Sequence, residues 1–266
     1  MRLDRLTRLG EGREAEVFAL DDTRVLRLAR SADRAGTLDA EHAALVAAAA
    51  AGAPVPRVYA RVDVEARPGL VLERLRDRNL LLEIGERPWR VWPISRSLGA
   101  LHARIHAVGG PGSLPSVHER LRGLLESPLV PEDVHVRALE RLEALPAGDR
   151  LCHGDFHPGN VLLAPGGGAV AIDWTGASRG DPAADVARSF LIVRHGALTP
   201  DATRAVATLA RVGRGVLWRG YVGAYMRAAE LDRVAVAHWL PVVAAARLAE
   251  DIAGERAQLL ELAGRG

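Results

Sequence analysis

The chain has 266 residues, 48% of them hydrophobic, and a formal net charge of +2. That is enough material to bury a core in one large domain or two lobes, and too little charge to imply a nucleic-acid partner. One Cys excludes an internal disulfide and agrees with a reducing compartment. The start of the chain lacks the apolar core of a signal peptide, and residues 43–55, the longest apolar stretch, are too short to span a bilayer. A cytoplasmic protein without a membrane partner is therefore expected. All 35 basic residues are Arg; the chain has no Lys.

After a short β-like start comes Gly10-x-Gly12-x-x-Ala15-x-Val17. Glycines there let the backbone approach phosphates and aim amide hydrogens at them, although two glycines among charged residues also make an ordinary hairpin turn. Val25 to Ala29 reads as the next strand. Thr37 is the expected cap of a helix that carries Asp39 and Glu41 in its first turn and stops at Gly52, with Pro54 beyond. Two further strands, Val55 to Val62 and Leu70 to Leu75, are expected around a turn at Arg67-Pro68-Gly69.

From Asp77 the pattern turns helical. Residues 91–108 place Ile94, Leu98, Leu101, Ile105 and Val108 at three- and four-residue spacing, the apolar stripe of a helix. His102 and His106 on it read as structural. Two shorter helices are expected, Pro115 to Glu126 and Pro131 to Leu145. Then two apolar runs, Val161 to Leu163 and Ala169 to Ile172, flank Gly166-Gly167-Gly168 and predict a β-hairpin. A hairpin brings its outer ends together, so Asn160 and Asp173 should face one point with Asp155 close by. An amide oxygen and a carboxylate converging there suit Mg²⁺, which keeps waters and takes few protein ligands. Asp155 beside it could accept a proton from an incoming hydroxyl.

The motif His153-Gly154-Asp155-Phe156-His157-Pro158-Gly159-Asn160, then Ile172-Asp173-Trp174, then Gly180-Asp181-Pro182-Ala183-Ala184-Asp185, resembles the aminoglycoside phosphotransferase family of small-molecule kinases. The resemblance implies an α+β, two-lobed, protein-kinase-like fold: residues 1–75 as a nucleotide-binding lobe with a small antiparallel sheet and one main helix, and residues 76–266 as a mainly helical catalytic and substrate-binding lobe. It implies ATP as co-substrate, GTP not excluded, and Mg²⁺. Asp155 becomes the base and Asn160 and Asp173 the metal ligands. His153 and Asp185 brace the catalytic loop. Gly10, Gly12, Val17, Arg27, Glu41, Glu73 and Leu75 serve the nucleotide, Glu73 to Leu75 being the hinge along adenine.

Two positions depart from the family. Arg27 stands where a Lys pairs with a helix Glu, here Glu41, and the planar fork is no copy of a compact ammonium. Either Arg27 has taken over the phosphate contact, or the nucleotide sits poorly. Thr175 stands where the family often has an acid. The implied function is transfer of the ATP γ-phosphoryl group to a small-molecule hydroxyl: aminoglycoside-like, sugar or amino alcohol. The alternative is a nucleotide-binding, pseudokinase-like sensor or scaffold. No Ala-Pro-Glu follows Asp173, which argues against a protein-substrate kinase. Beyond Asp185 the chain carries 11 Arg against 7 Asp plus Glu, which disfavours a polycationic acceptor and points to a neutral or anionic one. Glu230 with Asp232, or Glu250 with Asp251, could still form an acidic wall. Trp218, Tyr221 and Tyr225 recur at helical spacing, as core or as a platform for a sugar ring.

Overall fold

The structure, a computed structural model, describes residues 3–11, 15–196 and 204–265. Gly12 lies outside them. Five antiparallel strands open the chain: β1 (Thr7–Glu11), β2 (Ala15–Ala19), β3 (Arg24–Ala29), β4 (Val58–Val64) and β5 (Arg67–Glu73), in the order β1-β2-β3-β5-β4. Alternation along β3 decides what faces what. Leu26 and Leu28 pack with Phe18 and Val64 on one face, while Val25 packs with Leu70 and Leu72 against helix α1 (Ala35–Ala50) on the other. Arg27, in phase with Val25, is thereby sent to the α1 side.

Two local expectations are corrected. The turn between β4 and β5 is Glu65-Ala66, both left-handed at φ 51° and 61°, as a two-residue hairpin demands. Arg67-Pro68-Gly69 belongs to β5, with Pro68 opposite Asp63 and Gly69 opposite Val62. Gly69 is there for close packing, because a Cβ would lie 2.9 Å from Leu26 Cδ1. Helix α1 also starts before Thr37, continuing directly from a 3-10 turn at Ala32–Arg34. Its end is as expected, with Gly52 at φ 83°.

The rest is mainly helical: α2 (Leu80–Glu86), α3 (Val91–His106), α4 (Val117–Leu125), α5 (Glu132–Ala144), α6 (Pro182–His195), α7 (Arg204–Ala228), α8 (Arg233–Arg247) and α9 (Arg256–Ala263). Between α5 and α6 run four short strands, β6 (Arg150–Cys152), β7 (Val161–Leu163), β8 (Ala169–Ala171) and β9 (Ser178–Gly180), paired β7 with β8 and β6 with β9. Ser116 and Glu119 form a reciprocal capping box that fixes the start of α4. Asp181 caps α6 ahead of Pro182.

Helices α3 and α7 touch through glycine. A Cβ on Gly99 would sit 2.1 Å from the Tyr221 carbonyl oxygen, and one on Gly220 would sit 1.8 Å from Ser95 Oγ. That approach delivers Tyr221 and Tyr225, one turn apart on α7, to His102 and His106, one turn apart on α3. Among the described residues no helix is long and apolar enough to cross a membrane.

Candidate active site

The catalytic-loop candidate, residues 153–160, is shaped first by its glycine. Gly154 has φ 78°, and a Cβ there would lie 2.1 Å from the Gly176 carbonyl oxygen. Only Gly fits both the left-handed conformation and the contact. The loop is then held from below by Asp185, which is buried on α6. Its Oδ1 accepts from Gly154 N at 2.9 Å; its Oδ2 accepts from His153 N at 2.5 Å. The same Oδ2 takes His102 Nε2 at 3.1 Å and His106 Nε2 at 3.2 Å. Each imidazole has its Nδ1 2.6 Å from a phenol, Tyr221 for His102 and Tyr225 for His106. One protonation pattern satisfies all five groups: both phenols donate to Nδ1 and both Nε2–H donate to the carboxylate. Burial acts to raise the Asp185 pKa, but the two imidazoles outweigh it and hold the carboxyl well below its usual range. Tyr221 and Tyr225 are therefore buried core partners of histidines, and no platform for a sugar.

His153 ties this loop to the strand that follows. Its Nε2 donates to the Ile172 carbonyl at 3.0 Å and its Nδ1 accepts from Asp155 N at 3.3 Å. Ile172 N in turn donates to the Asn160 carbonyl at 2.9 Å. Asp155, Asn160 and Asp173 are thus drawn to one place, as the hairpin geometry requires. Asn160 Nδ2 donates to both the carbonyl and Oδ2 of Asp155, at 2.9 and 3.0 Å, which leaves the amide oxygen for another partner. Asp173 sits at φ 62°, a left-handed position for a residue with a side chain. Its Oδ1 accepts from Arg27 Nη2 at 3.2 Å and from Thr175 Oγ1 at 3.0 Å. Among the described residues its Oδ2 accepts nothing. One amide oxygen and one carboxylate oxygen make a donor set that fits a hard divalent cation.

Arg27 gives Nε to Glu41 Oε2 at 2.8 Å as well as Nη2 to Asp173. Glu41 is 2% exposed and shares the buried stripe of α1 with Leu38, Leu45 and Ala48. Beside Arg27 opens a cleft of about 240 Å³, lined by Gly10, Val17, Val25, Leu72, Glu73, Leu75, Leu162 and Asp173 among others. The hinge candidates differ in what they can offer. Glu73 N donates to the Arg57 carbonyl at 2.8 Å, Glu73 Oε2 accepts from Arg57 N at 3.2 Å, and Arg74 N donates to the Thr23 carbonyl. The Glu73 N–H and carboxylate are thus tied to Arg57, and Glu73 and Leu75 both lie on the wall of the cleft.

A second cavity of about 270 Å³ lies on the other side of the loop, with Asp155, Thr175, Arg120, Arg188 and Glu250 on its wall. Arg188 and Arg120 were not among the residues singled out by the sequence. Arg188 Nη2 meets Asp155 Oδ1 at 3.2 Å and its Nη1 meets Glu250 Oε1 at 2.5 Å. Arg247 also holds Glu250, at 3.1 Å, so this carboxylate is engaged from both sides. Asp232 caps α8, and Glu230 is exposed. Burial would raise the Asp155 carboxyl, yet His157 and Arg188 hold it well below the usual carboxylate range, so it is ionised at neutral pH.

The family model of the phosphotransferase enzyme family matches residues 5–221. The chain belongs to that family. Among solved structures, it is similar to a thermostable mutant of aminoglycoside phosphotransferase APH(4)-Ia in ternary complex with AMP-PNP and hygromycin B. The TM-score is 0.64 at 18% identity, over 97% of this chain and 89% of that one. Aminoglycoside phosphotransferase APH(3'')-Id from Streptomyces rimosus, in complex with ADP and streptomycin, matches with TM-score 0.56 at 19% identity, over 87% and 90% of the two chains. Aminoglycoside-3'-phosphotransferase of type VIII matches with TM-score 0.60 at 19% identity, over 91% and 93%. No curated protein matches in sequence. The likenesses establish the fold as the two-lobed, protein-kinase-like one.

This family member carries an acid-sensitive base under its loop. Burial, aided by His106, pushes the His102 pKa down from 6.5 to about 3, and burial pushes His153 down as well. Below an ordinary imidazole pKa of about 6.5 the unfolded chain takes up protons that these two rings refuse in the fold. Stability is then expected to fall as pH drops below about 6.5, by up to about 1.4 kcal/mol per pH unit for each ring, the His102 part running down to about 3. Denaturant titrations at neutral and mildly acidic pH read this directly; an unchanged midpoint would contradict it.

Proposed function

We propose that the chain transfers the γ-phosphoryl group of ATP to a hydroxyl of a small molecule. The observation that carries this reading is the junction of Asp155, Asn160 and Asp173 between two cavities, one under the sheet beside Arg27 and the other beside Asp155. Nucleotide in the first and acceptor in the second would meet at that junction. The acceptor oxygen forms a bond to the γ-phosphorus, and the bond from that phosphorus to the bridging oxygen breaks, leaving its electron pair on ADP. The hydroxyl proton passes to Asp155 Oδ, which Arg188 and Asn160 hold in place. An ionised Asp155 is a weak base, which suits a reaction whose transition state is loose and which gains mainly from placement and charge neutralisation.

Asn160 and Asp173 would hold Mg²⁺, which when bound neutralises charge on the nucleotide phosphates. Arg27, oriented by Glu41, would contact those phosphates in place of the family Lys, and Thr175 would steady Asp173 through its hydroxyl. Gly10, Val17 and Leu75 would line the nucleotide, with Gly12 in the same loop. His153 and Asp185 would keep the loop in register. We take residues 1–75 and 76–266 as the two lobes.

A second reading, a nucleotide-binding sensor without efficient transfer, is favoured by one contact: Arg27 Nη2 already rests on Asp173 Oδ1. The two readings part on ADP formation from Mg²⁺-ATP and from Mg²⁺-GTP, measured across sugars, amino alcohols, hydroxy acids, nucleosides and aminoglycosides. Acceptor-dependent ADP formation is expected. Nucleotide binding with no turnover for any acceptor class would favour the sensor.

A further inference from the structure

The cavity beside Asp155 has its charges matched, with one exception. Asp155 is covered by Arg188 and Asn160, Glu250 by Arg188 and Arg247, and Asp185 by two loop amides and two imidazoles. Arg120 on α4 has no such partner. Its Nη1 donates to the Thr175 carbonyl at 3.3 Å, and among the described residues no carboxylate lies within ion-pair distance. It is flanked on α4 by Val117, Leu121 and Leu124, which make an apolar wall of the same cavity. Burial, together with the charge of Arg188, pushes its pKa down, the sign of a cation short of counter-charge. On the same wall Arg188 Nε is buried without a hydrogen-bond partner, and a buried donor left unpaired calls for an acceptor.

Resting on the phosphoryl-transfer reading, we propose that the acceptor bears an acidic group, a carboxylate or a phosphate, which Arg120 receives while the hydroxyl lies at Asp155. A guanidinium fork matches either anion with two parallel hydrogen bonds. The cavity, about 270 Å³, is at the small end for ligand pockets, so the acceptor is a compact hydroxy acid or alcohol phosphate. An ammonium in that position would meet the guanidinium of Arg120 at close range, while the nearby carboxylates of Asp155, Glu250 and Asp185 already have cations or donors of their own.

The test is a matched three-carbon series titrated into the intact protein in the presence of Mg²⁺-ATP: glycerate, glycerol phosphate, glycerol and serinol, with streptomycin as the polycation. At least one of the two anions is expected to bind about tenfold or more tightly than glycerol and serinol, as a charge-assisted pair should. Which anion leads separates carboxylate from phosphate. Arg120→Gln should erase the preference and leave ATP affinity unchanged, and Arg120→Lys should restore part of it. Tighter binding of serinol or streptomycin, equal binding across the series, or a preference that survives Arg120→Gln would overturn the proposal. Failure of the phosphoryl-transfer reading itself would show differently, as absence of ADP formation with every member of the series, whether or not an anion binds at Arg120.

Discussion

Asp155→Asn is expected to lower kcat by about 10²- to 10⁴-fold, the usual range for a proton-transfer group, and to leave ATP affinity nearly unchanged. The asparagine fills the same space and keeps an oxygen for Asn160 Nδ2, which now donates to Asp155 Oδ2 at 3.0 Å. Arg188 keeps its second partner, Glu250. What is lost is the negative oxygen that takes the hydroxyl proton. Initial rates of ADP formation with an accepted substrate, beside an ATP titration, separate the two effects. Equal turnover would remove Asp155 from the base role. Because His157 and Arg188 keep Asp155 ionised well below the usual carboxylate range, its protonation should not limit the wild-type rate anywhere above about pH 4.

Asp185→Ala should cost about 3–5 kcal/mol of stability, because it leaves four buried donors without their acceptor. The substitution strands the amides of His153 and Gly154 and the Nε2–H groups of His102 and His106, all of which now end on this carboxylate. Each buried donor without a partner costs about 1–3 kcal/mol, and relaxation of the two side chains recovers part of the sum. Asp185→Asn should be milder, since one amide oxygen can still accept. A denaturant midpoint that falls with an unchanged slope is the expected signature. A loss below about 1 kcal/mol would mean that the loop holds itself without Asp185.

The fold was most legible where spacing was local. Residues 161–172 announce their hairpin through two short apolar runs and three glycines. Helix α3 shows in its apolar periodicity, and α4 and α5 in the prolines near their starts. Glu41 could be read because the resemblance asks for an acid on the helix after Arg27's strand, and in the structure it lies on the buried stripe of α1 with Leu38, Leu45 and Ala48. Local signals also misled. Thr37 looks like a cap, yet a 3-10 turn feeds the helix from Ala32, and Pro68-Gly69 looks like a turn where strand pairing and the contact with Leu26 decide otherwise.

The acceptor side was harder, because its contacts join distant segments. Arg120 reaches the Thr175 carbonyl across 55 positions, and Arg188 reaches Asp155 across 33. One clue was available for Arg188: it stands one helical turn after Asp185 on α6 and so shares a face with it. Nothing comparable marks Arg120, whose position on α4 acquires meaning only when the loop folds against it. The tyrosines illustrate the same point. Their spacing allowed a stacking platform or a core, and the glycine contacts between α3 and α7 chose the core.

The central claim is that Asn160 and Asp173 present oxygen to a divalent cation on a bound nucleotide. It is tested most directly by ATP affinity measured with and without Mg²⁺, in the wild type and in Asp173→Ala. The wild type should bind ATP more tightly with Mg²⁺, and the variant should lose most of that difference. Equal affinity with and without the metal in the wild type would contradict the account.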